Sequence, residues 1–179
     1  MHLQELITAI EQWAEDRNII NGSKPIDQAM KLFSEFGELA DNVGKGSDCR
    51  DDIGDCVVVA AIICKQMGGS IKLIMQSLIG LEKGYSENNI SSKDAVLWAI
   101  GDLSSWAKNS FNLYDRHQYL ARFLEGLMFV ANKNGYSFQE CIQIAYNDIK
   151  DRKGIMHNGV FVKESDPAYQ DILLELSKC

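Results

Sequence analysis

Apolar residues recur at intervals of three and four along nearly the whole chain, and only two prolines, Pro25 and Pro167, occur in its 179 residues. A helix turns every 3.6 residues, so this spacing lines apolar side chains along one face, whereas a half-buried strand needs strict alternation. Proline inside a helix removes a hydrogen bond and crowds the preceding turn, so its scarcity leaves long segments free to remain helical. The pattern predicts an all-α bundle, with helices at about residues 2–18, 25–43, 49–67, 70–84, 92–110, 115–134 and 137–152.

The joints carry matching signals. Pro25 suits a first helical turn, Ser70 follows Gly68-Gly69, and Ser137 with Glu140 forms a capping box after Gly135. One segment departs from the helical pattern. In Lys153 to Lys163, Asn158-Gly159 sits between β-prone residues and predicts a small C-terminal β-hairpin. A short last helix is expected after Asp166-Pro167, as a tail that wraps the bundle or a neighbouring subunit. The polar stretch from Gly84 to Lys93 reads as a loop between two halves, and no low-complexity linker divides residues 1–179 into separate domains.

Composition narrows the function classes. Hydrophobic residues make up 46% and charged residues 24%, an ordinary globular balance that argues against disorder. No apolar run approaches the roughly 18–20 residues needed to span a bilayer. Met1 to Arg17 carries acids throughout, unlike a signal peptide, so the expectation is a cytoplasmic protein with no membrane contact. Five cysteines without CxxC spacing, set mostly among aliphatic residues, read as reduced core residues rather than a zinc site. A net charge of -7 and a pI near 4.9 argue against a nucleic-acid binder, which relies on Lys and Arg to neutralise phosphate.

The chemistry concentrates in four acids. Glu35 and Glu38 are three residues apart in one expected helix, and Asp52 and Asp55 are three apart in the next. Each pair projects from one helix face, and packing the two faces together gathers four carboxylates whose mutual repulsion favours a cation. Such pairs are also common on solvated faces, and Asp51, Asp52 and Asp55 equally suit the positive end of a helix dipole. Their neighbours favour a site: Asp52 and Asp55 open the apolar run Cys56 to Cys64, and Glu35 and Glu38 lie among Phe33, Phe36, Leu39 and Val43. An all-oxygen set without histidine suits Mg²⁺, or Mn²⁺ in its place, and calcium fits less well because no chelating loop is present. Lys31, four residues before Glu35, either reaches a phosphate or tunes the acids. Trp98 and Trp106 read as core, and His2, His117 and His157 have no arrangement suggesting catalysis.

Sliding the chain by 67 positions exposes a faint repeat, about 29–78 against 96–145. Met30, Phe33, Phe36, Leu39 and Ala40 fall on Leu97, Ile100, Leu103, Trp106 and Ala107, and Asn42, Gly68 and Ser70 fall on Asn109, Gly135 and Ser137. Glu35 maps to Asp102, but Glu38, Asp52 and Asp55 map to Ser105, Tyr119 and Arg122, so only the first half carries the acid quartet.

The run Lys31-Leu32-Phe33-Ser34-Glu35-Phe36-Gly37-Glu38-Leu39, followed by Asp52-Ile53-Gly54-Asp55, resembles the paired acid signature of the MazG-like, all-α nucleoside triphosphate pyrophosphohydrolases, relatives of the dimeric dUTPases. The segments Ala145 to Gly154 and Gly159 to Glu164 are similar to the C-terminal part of small, often phage-type members. The resemblance covers roughly residues 5–80 and 137–166, and the intervening stretch is longer than in a minimal member. It implies a four-helix core in which Glu35, Glu38, Asp52 and Asp55 hold Mg²⁺, and a reaction converting a nucleoside triphosphate (NTP) and water to a nucleoside monophosphate and pyrophosphate. One carboxylate, Glu35 or Glu38, would activate water. The resemblance further implies phosphate contacts from Asn147, Lys150, Arg152 and Lys153, although basic groups there also complement a helix C-terminus. Trp13 and Gln28 occur where related sequences often carry an aromatic residue and a glutamine, which suits contact with a base, though an indole at helical spacing is as readily core. A homo-oligomer, as a dimer or dimer of dimers, is implied as well. The competing expectation is a non-catalytic module that binds a nucleotide or a protein partner on the same bundle.

Overall fold

The computed structural model describes residues 1–81, 89–108 and 113–177. Among these, the chain forms α1 (Leu3–Asp16), α2 (Ile19–Gly22), α3 (Pro25–Lys45), α4 (Arg50–Gln66), α5 (Lys72–Leu81), α6 (Ser92–Lys108), α7 (Leu113–Lys133), α8 (Phe138–Ile149), β1 (Gly154–His157), β2 (Val160–Lys163) and α9 (Tyr169–Leu176). The fold is all-α with a two-stranded antiparallel hairpin near the C-terminus. Residues 84–88 of the expected 84–93 loop, the helix ends expected at 84 and 110, Asn109 and Cys179 lie outside the described residues.

The short α2 was not expected. Asn18 adopts the left-handed conformation (φ 56°), which ends the first helical run, and Ile19 then re-enters helix with its side chain buried. Asparagine tolerates that conformation better than most residues because its short amide bonds locally. In the hairpin, Asn158 (φ 49°) and Gly159 (φ 79°) both take positive φ, the two-residue turn that Asn-Gly favours, and Ile155 faces Val162 while Met156 faces Phe161.

α4 is the centre of the molecule. Every residue from Cys56 to Cys64 is buried, because α1, α3, α7 and α8 surround the helix. A helix apolar on all sides has no other stable position. α3 pairs with α4 and α6 with α7, while α3–α6 and α4–α7 contacts close these four into a ring. α8 packs closely on α4 at Gly54, where an added Cβ would fall 2.6 Å from Ala145 Cβ and collide with the Cys141 carbonyl. That approach requires glycine.

The 67-residue offset also aligns backbone geometry. Gly68 (φ 81°) and Gly135 (φ 75°) end α4 and α7, and the Gly69 and Tyr136 amides donate to the Cys64 and Ala131 carbonyls at 3.0 and 2.9 Å. Trp106, as expected, is buried. Trp98 is not a core residue: it is 50% exposed, with its ring edge-on to Phe129 and the other side in solvent. Among the described residues, no helix is long and apolar enough to cross a membrane.

Candidate acidic site between two helices

Lys31, Glu35, Glu38 and Asn42 follow one another along α3 at intervals of four, three and four, which makes them a single stripe. Lys31 forms an ion pair with Glu35, whose carboxylate is buried. Asn42 donates its side-chain amide to Asp52 Oδ2 at 2.8 Å, joining the stripe to the first turn of α4. Asp52 and Asp55 are half-buried on the facing side of α4, whereas Glu38 is exposed.

All four acids lie within electrostatic range of Cys56 on α4. The buried Cys56 thiol is raised well above its ordinary range by burial and then by Glu35, Asp55, Asp52 and Glu38 together. Burial, followed by the charges of Glu35 and Asp51, pushes the Asp55 carboxyl up to about 7, against the pull of Lys31 and Arg152. Asp52 is raised by burial, then by Asp51, Glu38 and Glu35, with the Asn42 hydrogen bond opposing them. Asp51 is also raised, first by burial and then by Asp148 and Glu35. Crowded anions cost free energy that a bound cation would recover.

Carboxylate oxygens from two rigid helices are the donor type that suits a hard divalent ion, and the raised proton affinities of Asp52 and Asp55 come first from burial and then from neighbouring negative charge. Among the described residues, however, no three His, Cys, Asp or Glu side chains converge closely enough to hold a metal as they stand. Glu35 is engaged by Lys31 and Asp52 by Asn42, so two of the four acids have internal partners.

The C-terminal segment reaches this site through Arg152. Its guanidinium pairs with Asp148 and acts on both Asp51 and Asp55. Arg17 fixes the backbone here, donating from Nε to the Arg152 carbonyl at 2.7 Å and from a terminal guanidinium nitrogen to the Lys150 carbonyl at 3.0 Å. Asn147, Lys150 and Lys153 are exposed. Asn147 accepts from Gln143 at 3.2 Å.

Trp13 and Gln28 lie in packed surroundings. The Trp13 indole is buried, edge-on to Phe161 at 6.0 Å between centroids and with the Arg17 guanidinium over its ring at 5.1 Å. Gln28 is buried and donates to Ser23 Oγ at 2.9 Å. Sequence reasoning gave no site role to Asn42, Asp148 and Arg17, and read Asp51 only as a helix-dipole charge. Asn42 was detectable as the next position in the Lys31, Glu35, Glu38 stripe, whereas Arg17 acts across 135 residues and leaves no local signal.

Comparisons with known proteins are sparse. The chain is 53% identical over 66 residues, 36% of its length, to an uncharacterized 18.2 kDa protein in the rep-hol intergenic region of Haemophilus phage HP1 (strain HP1c1). It spans 40% of that relative's length. No family model and no solved structure matches.

Proposed function

We propose that the protein is a Mg²⁺-dependent nucleoside triphosphate pyrophosphohydrolase of the MazG-like type, removing pyrophosphate from a nucleotide in the cellular pool. The observation that carries this reading is the placing of Glu35, Glu38, Asp52 and Asp55 along the α3–α4 seam, where all four act on the buried Cys56 thiol and Asn42 ties the α3 stripe to Asp52.

Glu35, Glu38, Asp52 and Asp55 would hold the metal, which when bound neutralises phosphate charge and polarises the phosphorus under attack. The chain's own residues divide the remaining work. Glu38, exposed on the stripe, orients and deprotonates the attacking water. Oxygen attack at the α-phosphorus breaks the bond to the β-phosphate bridge, and pyrophosphate leaves. Arg152, held by Arg17 and adjacent to the acids, supplies positive charge for the phosphates. Lys31 pairs with Glu35 and, when freed from that carboxylate, would supply a second cation for the phosphates. Lys150, Lys153 and Asn147 lie on the same C-terminal segment and extend the phosphate surface. Trp13 and Gln28 contribute through packing, against Phe161 and Ser23 respectively, rather than by contact with a base. Assembly as a homo-oligomer is part of the proposal.

Incubation with a panel of canonical and modified NTPs and dNTPs in Mg²⁺ or Mn²⁺, with product analysis, tests it. Release of pyrophosphate and monophosphate supports the reading, whereas no turnover of any nucleotide refutes it. The engagement of Glu35 and Asp52 by Lys31 and Asn42 favours a second reading, a module that binds nucleotide without cleaving it. Calorimetric binding without turnover would select that alternative.

A further inference from the structure

A cavity of about 260 Å³ opens where the joint between α2 and α3 meets the turn of the hairpin, lined by Asn21, Ser23, Lys24, Asp27, Asn158 and Gly159. Two close approaches build its walls. A Cβ at Gly22 would fall 3.0 Å from Met156 Cγ, so the end of α2 lies against β1, and a Cβ at Gly159 would fall 2.6 Å from Asp27 Oδ2. With no side chain at Gly159, the turn backbone comes up to the Asp27 carboxylate and leaves it half-buried. Asp27 precedes Lys31 by four residues, so it extends the stripe of Lys31, Glu35 and Glu38 toward the start of α3. Eight residues separate Asp27 from Glu35, roughly 12 Å along the helix axis. The hairpin links the same two places: β1 starts two residues after Arg152, and the turn that follows closes on Asp27.

We infer that this cavity holds the base of the nucleotide proposed above and selects guanine, an assignment that rests on that reading. With the α-phosphate at the acids, the separation along α3 reaches past the ribose to the far edge of a base. The volume lies just below the roughly 300 Å³ at which pockets for drug-sized ligands begin, which suits a base with its sugar rather than a whole triphosphate. Wall chemistry then chooses the base. The Lys24 ammonium only donates hydrogen bonds, and the Asp27 carboxylate only accepts them, with two oxygens able to take two parallel N–H groups. Guanine presents an O6 acceptor beside two adjacent donors, N1–H and the 2-amino group. Uracil and thymine set one donor between two acceptors, and adenine and cytosine carry one amino donor beside ring acceptors. The Lys24 backbone N–H donates to Asp27 Oδ2 at 2.8 Å, which fixes the carboxylate one helical turn from the lysine. The Asn21 and Asn158 amides offer both donors and acceptors to the remaining polar atoms.

Titration calorimetry of the full chain with guanosine, inosine and adenosine in EDTA tests the pocket without hydrolysis. Guanosine and inosine differ only by the 2-amino group, and the wild-type chain is expected to bind guanosine about tenfold more tightly than either of the others. Asp27→Asn keeps a side-chain acceptor for the Lys24 N–H but loses the paired acceptors, and should abolish the preference for guanosine over inosine. Lys24→Gln, at an exposed side chain, is the second variant: it should weaken guanosine and inosine, which both carry O6, by about fivefold and leave adenosine unchanged. Equal binding of the three nucleosides, no binding of any, or a guanosine preference that survives both variants overturns the assignment. The hydrolysis panel separates it from the reading beneath it. Turnover with no preference for guanine nucleotides defeats the pocket alone, whereas a guanosine preference lost in Asp27→Asn, in a chain that turns over no nucleotide, supports the pocket and defeats the hydrolase.

Discussion

Asn42 and Asp52 are joined by a 2.8 Å hydrogen bond that ties the far end of the α3 stripe to the first turn of α4. The bond favours the ionised carboxylate against a setting that otherwise raises its proton affinity. Asn42→Ala should remove it, lowering stability by about 1–2 kcal/mol at neutral pH. Urea unfolding at pH 7 checks this, and an unchanged midpoint would show that Asp52 needs no partner.

Asp55 gives the clearest pH dependence. Its folded-state carboxyl, pushed up to about 7, lies above the ordinary unfolded value of about 3.9, so folding takes up a proton between these limits. The contribution is full below the unfolded value and is lost as pH rises through 7. Glu35 and Asp51 oppose ionisation from α3 and α4, while Lys31 and Arg152 assist it. Without divalent ions, Asp55→Asn should flatten the decline between pH 4 and 7 and be more stable than wild type at pH 8 by on the order of 1–2 kcal/mol, after discounting for solvent screening. Thermal melts across this range decide the matter, and a variant with the wild-type slope would contradict the assignment.

Gly54 and Gly37 occupy similar places in the two acid pairs but have opposite surroundings. Gly54 faces the Cys141 carbonyl and Ala145, while Gly37 faces open space. Gly54→Ala should force α4 and α8 apart and cost about 1–3 kcal/mol, lowering the melting temperature by roughly 3–10 °C. A melting temperature equal to wild type would mean that the α4–α8 approach is looser than described.

Arg17 supports the proposed phosphate cation indirectly. Arg17→Ala releases the Lys150 and Arg152 carbonyls and should raise KM for the nucleotide roughly tenfold, with a smaller change in kcat. Arg17→Lys is expected to restore part of the effect. Steady-state kinetics of the two variants separates positioning from simple loss of fold, which would lower the active fraction without changing KM.

The helical architecture was legible because burial follows apolar spacing: the run from Cys56 to Cys64 has no polar face, and it became the central helix. The Asn158-Gly159 turn was equally plain, since few dipeptides accept two consecutive positive φ values. The break at Asn18 was not, because asparagine adopts that conformation only when its neighbours demand it. Both acid pairs were visible from their spacing, and the Asn42 bond was hidden because asparagine is common on helix surfaces. Trp98 was misjudged because spacing reports which face a residue occupies, not how much of a large ring the neighbouring helix covers. Arg17 and the carbonyls it binds are separated by more than 130 residues, a distance across which no sequence period carries information.

The central claim is that the anionic patch performs hydrolysis, and Glu38→Gln tests it most directly. Glu38 is exposed, so its neutral isostere leaves the packed core unaltered. Pyrophosphate release should be measured for wild type and variant side by side in Mg²⁺ with the nucleotide panel, with melting curves of both. The account predicts turnover by wild type and a loss of at least a hundredfold in the variant at an unchanged melting temperature. Wild-type turnover retained in full by Glu38→Gln would contradict it.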